Sequence, residues 1–282
     1  MTILLFGGSG RLGTAILRLL SSSHTIIAPG RETLTPSDPI GLEQLLNEHK
    51  PDLIINTIAY NQVDKAEEQP AEAFLVNAEI PRLLATTSAA KNIPLFHFST
   101  DYVFEGTKPE GYIETDIPAP INIYGTSKRK GEEEVLANHP NAYVIRISRL
   151  YGAPATSANA KRSFVEVIID DTKKSSVVPV LDQEVSSPTY VDDVVKHMEA
   201  HLFPFPAPGI YHLANTGGAT WNQWAQAIIT NLNLPTTITP RDPSTLTRPA
   251  KRPQHSMLLN TKLPPLRPWQ EALADFLKQE SK

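Results

Sequence analysis

The sequence predicts an α/β fold in which a doubly wound parallel sheet is flanked by helices. Short, fully apolar runs recur along the first half of the chain, and stretches with helical apolar spacing lie between them. Such runs are typical of strands buried on both faces, and their alternation with helices is typical of parallel sheets. A glycine-rich turn stands between the first apolar run, Ile3–Phe6, and the first helical stretch.

Composition and charge limit the classes of protein to which this chain can belong. Its 282 residues allow one large domain or two small ones, and 26 basic against 30 acidic residues give a net charge of -4. We therefore expect neither a nucleic-acid partner nor a membrane partner. The absence of cysteine excludes disulfides, thiolate metal sites and cysteine nucleophiles. No apolar stretch reaches the roughly 18 residues of a membrane span, so we expect a soluble cytoplasmic protein.

The glycine-rich turn predicts a dinucleotide site. Its glycines have the spacing G-x-x-G-x-x-G and lie between the first strand and a helix over Thr14–Leu20. Glycine lets the backbone turn tightly there and lets a pyrophosphate approach the amides at the helix N-terminus, as in a Rossmann-type sheet. An ordinary glycine-rich turn is the alternative. The cofactor contacts predicted in this turn are Gly7, Gly10, Arg11, Leu12 and Gly13.

The end of the second strand bears on the choice of cofactor. The strand over Thr25–Ala28 is followed by Pro29, Gly30 and Arg31. An acidic residue at this place binds the ribose 2'-hydroxyl, whereas an arginine suits a 2'-phosphate. Arg31, with Arg11, therefore favours NADP(H), while NAD(H) and a merely solvated loop arginine stay open.

The following elements continue the alternation and bring a hydroxyl to the ligand-binding edge of the sheet. They are predicted as a helix over 41–50, a strand over 52–56, a helix over 71–91, a strand over 93–99, a helix over 124–137 and a strand over 143–147. Thr100 comes directly after the strand over 93–99. Ligands of open parallel sheets bind at this carboxyl edge, so Thr100 is a candidate site residue.

Tyr124 and Lys128 form a Y-x-x-x-K pair that predicts proton transfer. If Tyr124 opens a helix, Lys128 lies one turn later on the same face. A nearby ammonium favours the phenolate, so we expect Lys128 to lower the pKa of Tyr124 from about 10 toward that of a working general acid. Thr100 would hold a carbonyl oxygen beside Tyr124. The pair also occurs by chance in many proteins.

Two strings in this chain are more specific. Ser99–Phe104 reads S-T-D-Y-V-F and Val63–Glu67 reads V-D-K-A-E. With the glycine turn and the Y-x-x-x-K pair, they make the chain resemble the dTDP-4-dehydrorhamnose reductases, which are extended short-chain dehydrogenases/reductases. The resemblance implies NAD(P)H-dependent reduction of the 4-keto group of a nucleotide-linked 6-deoxy sugar, dTDP-4-dehydro-L-rhamnose to dTDP-L-rhamnose. It assigns the catalytic triad to Thr100, Tyr124 and Lys128.

The chain divides after residue 150, and the resemblance implies further site residues. Because the later elements are short and punctuated by prolines, we predict a dinucleotide-binding domain over 1–150 and mainly a small C-terminal substrate-binding cap over 151–282, with segments near 177–203 returning to the first domain. Asn56, Ala59 and Tyr60 would pass under the cofactor, and Asp101 and Tyr102 would face the sugar. Arg252, with Lys251, would pair the substrate diphosphate, the alternative being a solvated basic loop.

Departures from the family pattern leave two other functions open. Arg149 stands where the family has a tryptophan against the sugar, so the substrate could be a different nucleotide ketosugar. The β subunit of methionine adenosyltransferase resembles this family while serving a partner enzyme, so a cofactor-binding regulatory subunit is the other alternative. Ala15 stands at a position that carries a metal-binding glutamate in some relatives. We therefore expect a monomer or a homodimer without a metal bridge, and no metal ligands.

Overall fold

Strands and helices alternate along the part of the chain that the structure, a computed structural model, describes: residues 1–30, 39–157 and 160–280. The strands are β1 (Thr2–Phe6), β2 (Thr25–Ile27), β3 (Leu53–Asn56), β4 (Leu95–Thr100), β5 (Ala142–Ile147), β6 (Leu150–Tyr151), β7 (Val177–Val180), β8 (Thr189–Tyr190), β9 (Gly209–His212), β10 (Asn215–Thr216), β11 (Thr237–Pro240) and β12 (Leu266–Pro268). The α-helices are α1 (Arg11–Leu20), α2 (Pro39–His49), α3 (Val63–Glu68), α4 (Pro70–Phe74), α5 (Ile80–Ala89), α6 (Ile123–Asn138), α7 (Phe164–Thr172), α8 (Val191–His201), α9 (Trp221–Asn231) and α10 (Trp269–Glu280). Within these ranges no helix has both the length and the apolar character to cross a bilayer.

The main sheet has six parallel strands in the order β2-β1-β3-β4-β5-β9. The chain passes from β1 to β2 on one side and then returns to β3 on the other side of β1. The order therefore reverses at β1, which creates a crevice at the carboxyl ends of β1 and β3. The predicted doubly wound parallel sheet is confirmed.

Both faces of this sheet are buried, which explains the fully apolar strands. Side chains alternate between the two faces of a strand. Ile3 and Leu5 lie in one apolar cluster with α1 and α8, and Leu4 and Phe6 lie in a second cluster with α2 and α5. Burial of each large apolar side chain contributes about 1.5–3 kcal/mol. The rigid sheet fixes the crevice that holds the candidate site.

After β5 the chain alternates between the main sheet and smaller units. β6 pairs with β8, α8 packs against α1, and β9 extends the main sheet beside β5. Two-stranded sheets form between β7 and β11 and between β10 and β12. The C-terminal segments thereby lie close to the carboxyl edge of the sheet, where Thr107 and Tyr112 form isolated bridges with His255 and Leu258.

Candidate active site at the carboxyl edge of the sheet

The glycine turn after β1 forms a cradle at the N-terminus of α1. Gly7 has a φ of +84°, and its carbonyl accepts a hydrogen bond of 3.0 Å from Gly10 N. A Cβ at Gly13 would lie 2.2 Å from Gly7 O, and one at Gly7 would lie 2.5 Å from Thr57 Oγ1. Gly10 caps α1 without a side-chain bond to the first-turn amides. Leu12 is buried in the core, so its backbone alone is available to a cofactor. Such a helix N-terminus fits a pyrophosphate.

Arg11 is engaged by the protein itself. Its Nη1 donates to Gly152 O at 2.7 Å and to Ala153 O at 2.9 Å, and its Nη2 donates to Glu166 Oε2 at 2.5 Å. The side chain is therefore fixed beside the glycine turn as part of the link to α7. Arg31, the other arginine predicted to favour NADP(H), lies outside the described residues.

The segment after β3 forms one wall of the crevice. Asn56 is fully buried, its Oδ1 accepts from Ile58 N at 3.0 Å, and its Nδ2 lies 3.1 Å from His97 Nδ1. Ala59 is exposed and Tyr60 is half-buried. These residues follow the strand next to β1, so the structure brings Asn56, Ala59 and Tyr60 to the same edge as the glycine turn.

Asn77 holds this wall against α6, and the sequence did not reveal it. It lies in a π-helical turn, Leu75–Glu79, between α4 and α5. Its Oδ1 accepts from Tyr60 N at 2.8 Å, and its Nδ2 donates to Tyr60 O at 3.1 Å and Ser127 Oγ at 3.0 Å. A Cβ at Gly131 would lie 2.0 Å from Asn77 O, so a glycine is needed for this close approach. The sequence signal that could have found it is an asparagine inside a long pattern of helical apolar spacing, because π-helical turns recur at functional sites.

The three predicted catalytic residues converge between β4 and α6. Thr100 ends β4, and the side chain of Asn122 caps α6 by accepting from Gly125 N at 2.7 Å, which puts Tyr124 in the first turn. Lys128 follows one turn later, is 1% exposed and donates from Nζ to Phe98 O at 2.6 Å. A Cβ at Gly125 would lie 2.1 Å from Tyr102 O, so Gly125 allows α6 to approach the end of β4 closely.

The electrostatics of this trio differ from the prediction. Burial raises the pKa of Tyr124 to about 12; a hydrogen bond with Thr100 opposes this shift and the charge of Asp101 adds to it. Burial lowers the pKa of Lys128 to about 8, although Glu132 opposes that shift. The expected lowering of the Tyr124 pKa by Lys128 is therefore wrong for this arrangement. Desolvation is the largest cause of the shift, and Lys128, whose Nζ is bonded to Phe98 O, is not among the groups that shift this pKa.

Asp101 and Tyr102, predicted to face a sugar, have different surroundings. Tyr102 is half-buried, and its ring packs edge-to-face on the Tyr124 ring at 5.7 Å between centroids. Asp101 is 3% exposed and accepts hydrogen bonds from Thr100 at 3.1 Å, Ser148 at 2.9 Å and Ser256 at 2.6 Å. Its carboxyl oxygens are thus directed into the protein, and burial raises its pKa.

Arg149 is a buried cation beside these residues. Its backbone has a φ of +36°, a left-handed conformation that is uncommon for a non-glycine residue and clusters at functional sites. Its guanidinium carbon lies 3.7 Å from the centroid of the Trp221 ring, a cation–π contact. Its amino groups donate to Ala219 O at 3.2 Å and Glu184 O at 3.1 Å. The Glu184 carboxylate accepts from Trp221 Nε1 at 3.0 Å and from Arg248 at 2.6 Å, which completes the cluster.

The basic pair near the C-terminus lies at the mouth of the same site. Arg252 donates two hydrogen bonds of 2.6 Å to the Asp64 carboxylate, and this contact holds the pKa of Asp64 below its usual value. The Lys251 side chain is exposed, and its carbonyl accepts from Asn122 Nδ2 at 2.8 Å. Because Asn122 is the N-cap of α6, Lys251 and Arg252 lie close to the helix that carries Tyr124.

This chain is similar to known proteins along its whole length. A family model described as the RmlD substrate binding domain matches residues 1–282. The dTDP-4-dehydrorhamnose reductase of Streptomyces griseus is 36% identical over 96% of this chain and 91% of its own. A probable dTDP-4,6-dihydroxy-2-methyloxan-3-one 4-ketoreductase of Streptomyces antibioticus is 35% identical over 98% of this chain and 94% of its own. The solved structure of the dTDP-4-dehydrorhamnose reductase of Bacillus anthracis in complex with NADP matches at TM-score 0.92 and 31% identity, with 99% of each chain covered.

These matches cover both the six-stranded sheet and the segments after residue 150. They agree with the resemblance carried by the S-T-D-Y-V-F and V-D-K-A-E strings, so that prediction is confirmed. The chain belongs to the RmlD substrate-binding-domain family, the family of the dTDP-4-dehydrorhamnose reductases.

Proposed function

We propose that this protein reduces the 4-keto group of a nucleotide-linked 6-deoxy sugar, converting dTDP-4-dehydro-L-rhamnose to dTDP-L-rhamnose. The observation that carries this proposal is the convergence of Thr100, Tyr124 and Lys128 at the carboxyl edge of the sheet that also carries the glycine turn. Three polar side chains at the crevice of a doubly wound sheet suit the reduction of a carbonyl group.

The cofactor we propose is NADP(H). The cradle of Gly7, Gly10 and Gly13 would hold its pyrophosphate against the N-terminus of α1, and the wall at Asn56 and Tyr60 would lie under it. NADPH when bound supplies the hydride for the ketone carbon. The NADP complex of the Bacillus anthracis relative supports the choice of the phosphorylated form.

Tyr124 would act as the general acid. Because its pKa is raised to about 12, the phenol is fully protonated at neutral pH and ready to donate to the more basic alkoxide that develops at the ketone oxygen. A positioned acid of this kind contributes roughly 10²- to 10⁴-fold to rate. The buried ammonium of Lys128 would hold the cofactor ribose. Thr100 would fix the position of Tyr124 and of the ketone oxygen.

Of the segments after residue 150, those other than α8 and β9, which return to the main sheet, would form the substrate-binding cap. Arg252, with Lys251, would pair the diphosphate of the nucleotide, since ionised donors bind phosphate oxygens well. Tyr102 and Arg149 would meet the sugar. We further propose that the protein is cytoplasmic and is a monomer or a homodimer. Because Ala15 is only 2% exposed and offers no ligand, we propose that no metal ion bridges such a dimer.

A second candidate keeps the chemistry and changes the sugar. Two observations favour it: the Streptomyces antibioticus relative is named for a different ketosugar, and Arg149 with Trp221 forms a charged cluster next to Tyr102. A panel of nucleotide ketosugars, compared by kcat/KM, separates the two substrates.

The test of the proposed function is direct. Purified protein is supplied with dTDP-4-dehydro-L-rhamnose and NADPH, and the loss of absorbance at the nicotinamide band is followed. We expect turnover by the wild type, loss of about 10²-fold or more in Tyr124→Phe, and full activity in Tyr143→Phe. Tyr143 is the matched control because its hydroxyl donates to Pro206 O, away from the site. Tight NADP binding without reduction of any ketosugar would instead support a regulatory subunit.

A further inference from the structure

Glu132 and Arg146 form an ion pair that is shielded from water between α6 and β5. Arg146 donates from Nε to Glu132 Oε1 at 2.8 Å and from Nη2 to Glu132 Oε2 at 2.7 Å. The arginine side chain is 0% exposed and the glutamate side chain is 3% exposed. Because both charges lose their hydration, a buried pair of this kind contributes little net stability to a fold. Stability therefore does not explain why the pair stands at this place.

The surroundings of Arg146 fix its guanidinium in one position. Arg146 lies beside His212, its partner on β9, and its Nη1 is 3.4 Å from His212 Nε2. His212 Nδ1 lies 3.0 Å from Leu259 O, so Nδ1–H donates to this carbonyl and Nε2 accepts from Arg146. The guanidinium carbon also lies 5.0 Å from the centroid of the Phe104 ring. Arg146 therefore holds the Glu132 carboxylate at a fixed point above β5.

Lys128 lies on the same face of α6 as Glu132, one turn earlier. Residues four apart on a helix are neighbours, and helical side chains lean toward the N-terminus, so the Glu132 side chain leans toward Lys128. Both residues are buried, where opposite charges attract each other more strongly than in water. Lys128 Nζ nevertheless donates to Phe98 O at 2.6 Å, while Glu132 accepts from Arg146. The two opposite charges of α6 are thus bonded to different partners on the sheet.

We propose that Arg146 is a positioning residue that keeps the Glu132 carboxylate from pairing with Lys128, so that the ammonium stays at Phe98 O and is available to the cofactor ribose. This inference rests on the proposed ketoreductase function, in which Lys128 holds that ribose. In the absence of Arg146, Lys128 is the cation one turn away on the same helix. Glu132 would then draw the ammonium away from β4.

The titration of Lys128 reports whether this separation holds. Burial lowers the pKa of Lys128 to about 8, and the charge of Glu132 opposes that shift. The other titratable and charged groups on α6 and on the sheet edge packed against it are Tyr124, His97 of β4, Asp101 after β4 and Arg146 of β5. Burial and the Lys128 charge hold the pKa of His97 well below its usual value, and burial raises the pKa of Tyr124 to about 12. Lys128 is therefore the basic group of this set that titrates between about pH 7 and 10.

Urea unfolding of the full chain between pH 7 and 10 tests the proposal without any substrate. The free energy of unfolding rises with pH above the folded pKa of Lys128, because the unfolded chain then binds more protons than the folded one. We expect Arg146→Met to move the onset of this rise to higher pH by about one unit, since a freed Glu132 carboxylate favours the ammonium. We expect Glu132→Gln to move the onset to lower pH by about as much. An onset that stays in place, or that moves in the same direction in both variants, would overturn the proposal.

Steady-state kinetics with the ketosugar measures the consequence for the cofactor. We expect Arg146→Met to lower kcat/KM for NADPH about tenfold or more, because the ammonium is displaced from its position. The double variant Arg146→Met/Glu132→Gln leaves no carboxylate to capture Lys128. Its kcat/KM should therefore return to within about threefold of the value for Glu132→Gln. A loss that persists in the double variant would also overturn the proposal.

Two further variants separate this role from a merely structural one. Arg267→Met is the matched control, because it breaks two hydrogen bonds to the Asp193 carboxylate between β12 and α8. It should lower the free energy of unfolding and leave the onset of the pH-dependent rise in place. If Arg146→Met does not fold, Arg146→Gln removes the charge, keeps a donor for Glu132 and should move the onset in the same direction. A wild type that reduces no ketosugar refutes the proposed function, whereas the unfolding data test Arg146 by themselves, so the two failures are distinguishable.

Discussion

Lys128 Nζ donates a hydrogen bond of 2.6 Å to Phe98 O, which holds the ammonium against the end of β4. The same helix, α6, presents Tyr124 one turn earlier, and Asn77 ties it to the wall at Tyr60 through Ser127. The position of the lysine is therefore set by the sheet, the π-helical turn and α6 together. Burial of a cation in such a place perturbs its pKa and lowers the free energy of unfolding.

The pH dependence of activity should report the ionisation of Lys128. Because burial lowers its pKa to about 8, the ammonium loses its proton as pH rises through that value. We expect kcat/KM to fall above about pH 8. Lys128→Arg, which stays charged, should remove this alkaline limb even if its maximal rate is lower. A pH–rate profile from pH 6 to 10 measures both, and an identical limb in the variant would contradict the assignment.

Lys128 should also lower the stability of the folded protein. Its folded pKa of about 8 lies below the ordinary lysine value of about 10.4. Between these values the unfolded chain binds more protons than the folded one, so the free energy of unfolding rises with pH across this window. At pH 7, Lys128→Met should raise the free energy of unfolding by about 1–3 kcal/mol while activity is lost.

Urea unfolding at pH 7 and pH 10 measures this effect. The matched control is Lys130→Met, because Lys130 is an exposed lysine of α6 paired with Glu134. Exposed ion pairs contribute little, so the control should change stability by less than about 1 kcal/mol. Equal effects of the two substitutions would argue against a cost of burying Lys128.

Gly10 and Gly13 of the turn should differ in how well they tolerate substitution by alanine. A Cβ at Gly13 would lie 2.2 Å from Gly7 O and 2.7 Å from Gly8 Cα, both backbone atoms that cannot yield without moving the turn. At Gly10 the nearest atom is Gly7 O at 3.3 Å. We expect Gly13→Ala to weaken NADPH binding at least about tenfold and Gly10→Ala to weaken it less than about threefold. Fluorescence titration with NADPH checks this, and equal losses would contradict it.

Local sequence patterns predicted the sheet and the candidate catalytic residues, whereas contacts between distant parts of the chain determine the surroundings of those residues. The strands and the glycine turn follow from residue periodicity, and Tyr124 and Lys128 follow from helical spacing. The partners of Asp101 could not be predicted, because Ser148 and Ser256 are distant in sequence and meet it only in the folded chain. The same holds for Arg149 on Trp221. The pKa of Tyr124 depends on its burial, which spacing alone does not give.

The two basic residues at the mouth of the site should contribute unequally to substrate binding. Arg252 is held in place by Asp64 through two hydrogen bonds, whereas the Lys251 side chain is exposed. A fixed guanidinium loses less entropy on pairing with phosphate oxygens than a free lysine does. We expect Arg252→Ala to raise KM for the nucleotide sugar about tenfold or more with kcat nearly unchanged, since a charged hydrogen bond contributes about 1.5–3 kcal/mol.

Lys251→Ala is the matched control and should raise KM less than about threefold, because solvent and salt screen an exposed charge. Asp64→Asn tests whether the ion pair with Asp64 organises Arg252. The substitution leaves Arg252 with its full charge but with weaker hydrogen bonds to residue 64, so salt should weaken substrate binding more steeply in this variant than in the wild type. Steady-state kinetics with the nucleotide sugar at low and high salt measures all three variants. If Lys251→Ala and Arg252→Ala raise KM equally, the pairing with Asp64 does not organise the phosphate site.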